Sequence, residues 1–155
     1  PRDWSSDVCS SDLLNMHKDY SIHPKLGMER RCNIIIYMTP DWQEEWGGGL
    51  ELWSHDDEKN LPKECVRKLY NKFNRAVLFD TTQNSWHGLP DPINCPEDVY
   101  RKSLAIYYVS PPRAGVEQHD RALFAPHGEQ ANNPDILELI KKRSSSKTSA
   151  GTYRT

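Results

Sequence analysis

Arg31-Cys-Asn-Ile-Ile-Ile-Tyr-Met38 constrains the fold more than any other stretch of this 155-residue chain. It is rich in β-branched and aromatic residues and is stopped by Thr39-Pro40-Asp41, which predicts a strand. Side chains alternate across a strand, so Ile34, Ile36 and Met38 share a purely apolar face. Asn33, Ile35 and Tyr37 share the other, with polar groups at both ends. Most of the remaining regular stretches are of the same kind. Asn74 to Asp80 reads as a strand whose Ala76-Val-Leu-Phe79 run predicts burial on both faces. Arg101 to Val109 is another, with Arg101 and Ser103 on the face of Ala105 and Tyr107. Leu50 to Trp53 follows Trp46-Gly-Gly-Gly49, where the backbone must turn or approach a neighbour closely. Leu14 to Asp19 fits a strand end, and Glu64 to Tyr70 fits a helix or a strand equally. Residues 54–63 read as a polar loop, and the tail from Ser110 loses strand periodicity. Asn133-Pro134-Asp135 opens an expected helix near 134–143, whose closing Lys141-Lys-Arg143 suits the negative end of the helix dipole. Short strands separated by turns, with one late helix, predict an all-β sandwich or jelly roll.

Composition narrows the function classes. Lys and Arg number 20 against 22 Asp and Glu, a formal net charge of -2, which gives no reason to expect nucleic acid or an anionic membrane as partner. No apolar run approaches the ~20 residues of a membrane-spanning helix. Cys9, Cys32, Cys65 and Cys95 are widely spaced without a Cys-x-x-Cys, which disfavours a zinc site and a disulfide framework. The expected setting is reducing, and a cytoplasmic location fits it. Asp3 to Leu13 matches one reading frame of a common sequencing adapter, so residues 1–13 are expected to be an artefactual leader and take no part in fold reasoning. The expected layout is then a core over 14–110, lacking early strands, and a C-terminal extension over 111–155.

His17-Lys-Asp19 is the triplet that carries chemistry. On an extended strand residues i and i+2 point the same way, so the imidazole of His17 and the carboxylate of Asp19 converge. A third ligand must come from a distant strand. His87 is the best candidate, since Gly88 beside it leaves room for a neighbouring backbone. Two histidines and one carboxylate leave open positions on an Fe(II) ion, as in non-haem iron oxygenases. A 2-oxo acid with a second carboxylate also needs a cationic anchor, for which a planar guanidinium is suited. Arg101, with Ser103 one same-face step away, fits that role, and Tyr37 adds a further donor. His55-Asp-Asp57 repeats the His-x-Asp spacing but sits in a charge cluster and reads as a solvated turn. His23 reads as an exposed loop histidine. Asn33 faces the same way as Tyr37, with a pocket-lining and a plain structural role equally open, and Trp86 fits a buried aromatic better than a guard of substrate access.

The ordered set His17-x-Asp19, Arg31 to Tyr37 running into Asp41-Trp42, Gly48-Gly-Leu-Glu-Leu52, Asn74-Arg75, His87-Gly88 and Arg101-x-Ser103 resembles the 2-oxoglutarate/Fe(II)-dependent oxygenase superfamily, most of all its prolyl 4-hydroxylase-like branch. The resemblance covers roughly residues 14–109. It implies a double-stranded β-helix in which His17, Asp19 and His87 bind iron. Arg101 pairs with the distal carboxylate of 2-oxoglutarate, assisted by Ser103 and Tyr37. It also implies O2 as oxidant, succinate and CO2 as products, ascorbate as a frequent support, and a small-molecule or peptidyl substrate, a prolyl side chain among the choices. Two rivals use the same residues differently: a non-catalytic β-sandwich binding domain, and a cupin-like metal enzyme working without 2-oxoglutarate. The Arg101-x-Ser103 anchor argues against the second.

Overall fold

The computed structural model describes residues 14–23, 25–81, 84–116, 122–126 and 128–144. Among these residues eight strands form in chain order: β1 (Leu14–Lys18), β2 (Glu29–Tyr37), β3 (Leu50–Asp56), β4 (Leu61–Leu69), β5 (Ala76–Asp80), β6 (Trp86–Leu89), β7 (Ser103–Ser110) and β8 (Leu123–Phe124). One α-helix among the described residues, α1 (Pro134–Ser144), follows them. The strands divide into a five-stranded sheet, β4-β3-β6-β1-β8, and a three-stranded sheet, β5-β2-β7. Every pairing is antiparallel. From β1 to β7 the chain passes repeatedly from one sheet to the other, with only the β3–β4 hairpin staying in place. That winding is a jelly roll, the expected double-stranded β-helix.

Register sets what lies between the sheets. In the small sheet Tyr37 is opposite Ser103, Ile35 is opposite Ala105 and Val77, and Asn33 is opposite Tyr107 and Phe79. Partners opposite each other share a face. Tyr37, Val77 and Phe79 meet Leu50 in one buried cluster, with Leu52 and Leu69 packed against it. The sequence neighbours of the candidate ligands, Met16 and Trp86, belong to a second cluster with Ala125. Alternation therefore sends His17 and His87 one way and their apolar neighbours the other.

Four expectations change. The Ala76-to-Phe79 run is buried on one face only: Val77 and Phe79 are covered, whereas Leu78 is 63% exposed. Leu78 and Ile106 flank Ile34 on the outward face of the small sheet, where Ile106 is also exposed. Residues 54–63 are mostly strand rather than loop. β3 and β4 run on to a tight turn in which the Asp56 carboxylate accepts from Glu58 N and Lys59 N. The same pairing settles Glu64 to Leu69 as strand, with Tyr70 just past its end. The tail supplies β8, which pairs with β1 and donates from Ala125 N to Met16 O at 2.7 Å. α1 forms as expected, capped by Asn133 Oδ1 accepting from Asp135 N at 3.0 Å. Cys32 and Cys65 carry free thiols and Cys95 is disulfide-bonded, contrary to the reading of the cysteine spacing. The expected leader, 1–13, lies outside the described residues.

Outward apolar residues on a sheet whose edge strands are β5 and β7 invite association between copies. Replacing Ile106 by Lys should raise the protein concentration at which light scattering appears, without lowering the thermal midpoint. An unchanged onset would show that this face is not where copies meet.

Candidate active site

His17 and His87 stand directly opposite each other on β1 and β6, with ring centroids 4.3 Å apart. Each ring is fixed in the same way. Nδ1 of His17 lies 2.9 Å from the carbonyl of Asn15, and Nδ1 of His87 lies 3.1 Å from that of Ser85. A carbonyl only accepts, so Nδ1 carries the proton in both rings and Nε2 keeps its lone pair, the tautomer a metal ligand needs. Asp19, just past β1, completes the group. His17 Nε2 is 3.7 Å from Asp19 Oδ1, and His87 Nε2 is 3.7 Å from Asp19 Oδ2. All three residues offer ligand atoms within 4.8 Å of one another. Two atoms each bound ~2.1 Å from one ion lie at most about 4.2 Å apart, so the His–Asp spacings suit a shared ion.

Burial argues the same way. Both histidines and the Asp19 side chain are less than a tenth exposed, and Asp19 Oδ2 is buried without a hydrogen bond. Two imidazole lone pairs facing one buried carboxylate are costly unless a cation joins all three. Burial, and secondarily the neighbouring His87, hold His17 down at about 4 from an ordinary 6.5, against the opposing pull of Asp19. His17 is therefore neutral near pH 7, as a ligand must be. A folded-state value below the unfolded one means the unfolded chain takes up the proton first, so stability is complete above about pH 6.5 and is lost as the pH falls towards 4. The urea midpoint of the metal-free protein should drop between about pH 7 and about pH 5; a midpoint that rises on acidification would contradict this.

The backbone makes the site possible at Gly88. A Cβ there would lie 2.7 Å from Leu14 O and 2.9 Å from Asn15 O, the very carbonyl that fixes His17. Aromatic rings close the walls: Phe79 meets His87 edge-on at 4.9 Å, and Phe124 of β8 stacks on His17 at 5.3 Å. Phe124 is a site residue that the sequence did not signal, because a two-residue strand has no periodicity.

The second predicted group assembles at the other end of the small sheet's inward face. Tyr37 is opposite Ser103, and the Arg101 guanidinium lies 5.7 Å from the Tyr37 ring. Arg101 is 4% exposed and Tyr37 1%. Room for Arg101 comes from Gly48, whose φ is +67° and whose Cβ would lie 3.2 Å from Arg101 Cδ. The Tyr37 hydroxyl is buried without a well-formed hydrogen bond. Burial raises its pKa, offset in part by Arg101, so the phenol keeps its proton. The Asn33 amide oxygen, on the same inward face, is likewise without a partner. A charged guanidinium beside an unsatisfied phenol is a setting for an anion.

The decoys separate cleanly. His55 is a β3 residue rather than part of a solvated turn, and its Nδ1 accepts from Trp86 Nε1 at 2.9 Å. Trp86 is thus a buried structural aromatic. His23 Nδ1 accepts from Lys25 N and Leu26 N, which makes it a turn cap.

With this geometry in place, comparison with known proteins gives one family. The 2OG-Fe(II) oxygenase superfamily profile matches residues 8–109. The chain belongs to that superfamily, in keeping with the motif order. Among curated relatives, prolyl 3-hydroxylase OGFOD1 of Mus musculus is 30% identical over 82 residues, which is 53% of this chain and 14% of that protein. The Xenopus laevis protein of the same name is 28% identical over 119 residues, 71% of this chain and 23% of that protein. The chain thus spans under a quarter of the length of these relatives. A solved prolyl 4-hydroxylase structure from Phytophthora capsici superposes over 90% of this chain and 40% of its own, with a TM-score of 0.49 and 17% identity.

Proposed function

We propose that this chain carries the catalytic centre of an Fe(II)- and 2-oxoglutarate-dependent dioxygenase that hydroxylates a prolyl or similar side chain. The observation that carries the reading is the buried convergence of two imidazole Nε2 atoms on the Asp19 carboxylate, on the sheet opposite Arg101, Tyr37 and Ser103. Family membership supports the cofactors, and the prolyl 3-hydroxylase relatives support the substrate class.

His17, Asp19 and His87 would hold the iron. With 2-oxoglutarate and O2, iron supplies the oxidising power to place oxygen on an unactivated C–H bond while the 2-oxo acid leaves as succinate and CO2. The chain's own groups then position and exclude. Arg101 offers two parallel N–H donors to the distal carboxylate, and the Tyr37 phenol and Ser103 hydroxyl add one each. Phe79 and Phe124 exclude water from the imidazoles. Ascorbate enters the proposal as a reductant that returns oxidised iron to Fe(II).

Incubating the protein with Fe(II), 2-oxoglutarate and a proline-containing peptide in air should release succinate, with mass added to the peptide in steps of one oxygen atom. Succinate without peptide oxidation would remove the prolyl assignment alone. Absence of succinate from protein that binds Fe(II) would remove the dioxygenase reading.

A further inference from the structure

The three ligand residues leave one matter open: which Asp19 oxygen serves the metal. Oδ1 and Oδ2 each face one imidazole Nε2 at the same 3.7 Å. A carboxylate so placed binds an ion through either oxygen or through both. Arg30 breaks that symmetry. Its Nη1 lies 3.5 Å from Oδ2, the buried oxygen that no hydrogen bond satisfies.

Arg30 is itself held. Its guanidinium carbon lies 3.7 Å from the centre of the Tyr20 ring and 3.6 Å from that of Tyr107, and Nη2 donates to the Tyr20 hydroxyl. A guanidinium carries its donors in its plane, so aromatic rings can cover its faces while its edge stays available to a carboxylate. Only 12% of the Arg30 side chain is exposed. The local backbone explains its direction. Arg30 is opposite Val109 and Cys32 is opposite Tyr108, so β2 advances two residues while β7 advances one. That bulge shifts the alternation that runs from Asn33 to Tyr37 and re-aims the side chains preceding it.

We propose that Arg30, braced by Tyr20 and Tyr107, makes Asp19 a one-oxygen ligand by engaging Oδ2 and leaving Oδ1 to the metal. The inference rests on the Fe(II) reading of the triad. Arg30 is a positioning residue rather than a ligand. Its role is not to tighten metal binding, since a cation this close to a divalent ion opposes it. By keeping Asp19 from occupying a second position on the ion, it preserves the positions that a chelating 2-oxo acid needs.

The test uses Co(II) as probe, with calorimetry for affinities and visible absorption for coordination. Arg30→Ala should bind Co(II) at least as tightly as the parent, show an altered cobalt absorption band, and bind 2-oxoglutarate about tenfold or more weakly when metal-loaded. Arg30→Lys, which keeps a cation near Oδ2, should recover part of the 2-oxoglutarate affinity. Should Arg30→Ala fail to fold, Arg30→Met keeps an unbranched stem between the two rings and carries the same expectation. Parental 2-oxoglutarate affinity and an unchanged band in the charge-removing variant would overturn the inference while leaving the triad intact. A parent protein that binds no Co(II) would overturn the metal reading, and this inference with it.

Discussion

Asp19→Ala is expected to abolish metal binding while leaving the sheets intact. Loss of a residue that merely orients a metal ligand costs about 10–100-fold in affinity, so loss of a ligand that both imidazoles face at 3.7 Å should exceed about 100-fold. Two features make the substitution informative. The two histidines keep their tautomer, because it is set by the Asn15 and Ser85 carbonyls and not by Asp19. The core clusters also do not include Asp19, so the fold loses no apolar packing. Removal of Asp19 leaves two buried imidazoles whose mutual influence already lowers the His17 pKa, and it takes away the group that raises it. The variant should therefore remain folded at neutral pH and be more acid-sensitive than the parent. Fe(II) affinity from an anaerobic titration, beside a circular dichroism spectrum, checks both halves. Parental iron affinity in the variant would mean that His17 and His87 are not converging on a shared ion with Asp19.

Arg101→Ala should have the complementary phenotype: iron retained, co-substrate lost. A buried guanidinium that meets a carboxylate through hydrogen bonds is costly to truncate, about 2–5 kcal/mol, which is roughly 30-fold or more in the 2-oxoglutarate dissociation constant. Arg101→Lys should recover only part of this, because an ammonium cannot supply two parallel donors. The residue lies 5.7 Å from the Tyr37 ring, so its removal also relieves the offset that Arg101 exerts on the phenol. The Tyr37 pKa should then climb further, and Tyr37 remains a donor. Equal loss of iron and 2-oxoglutarate would point to collapse of the site instead of loss of an anchor.

The pairing His17, Asp19 and His87 was legible because the chemistry demands residue types in a fixed order and because strands make i and i+2 neighbours. Gly88 was legible for a similar reason: the backbone space it leaves is filled by the Leu14 and Asn15 carbonyls. Arg30 was not. Counting alternate residues back from Tyr37 puts Arg31 inward, and only the bulge between Arg30 and Cys32 reverses the assignment. Phe124 was missed because β8 is too short to show a period, and the β3–β4 hairpin because its polar residues disguise strands that are paired through their backbones. Leu78 failed in the opposite direction. An unbroken apolar run signals burial on both faces, and here the outward face stays open.

The proposed function requires one buried site to hold a metal through His17, Asp19 and His87 and a 2-oxo acid through Arg101. The most direct measurement is an anaerobic calorimetric titration of 2-oxoglutarate into the protein, with and without Fe(II). One equivalent should bind when iron is present, with at least tenfold weaker binding when it is absent, because chelation and the Arg101 anchor act together. Iron bound with no affinity for 2-oxoglutarate, or equal 2-oxoglutarate affinity with and without iron, would contradict it.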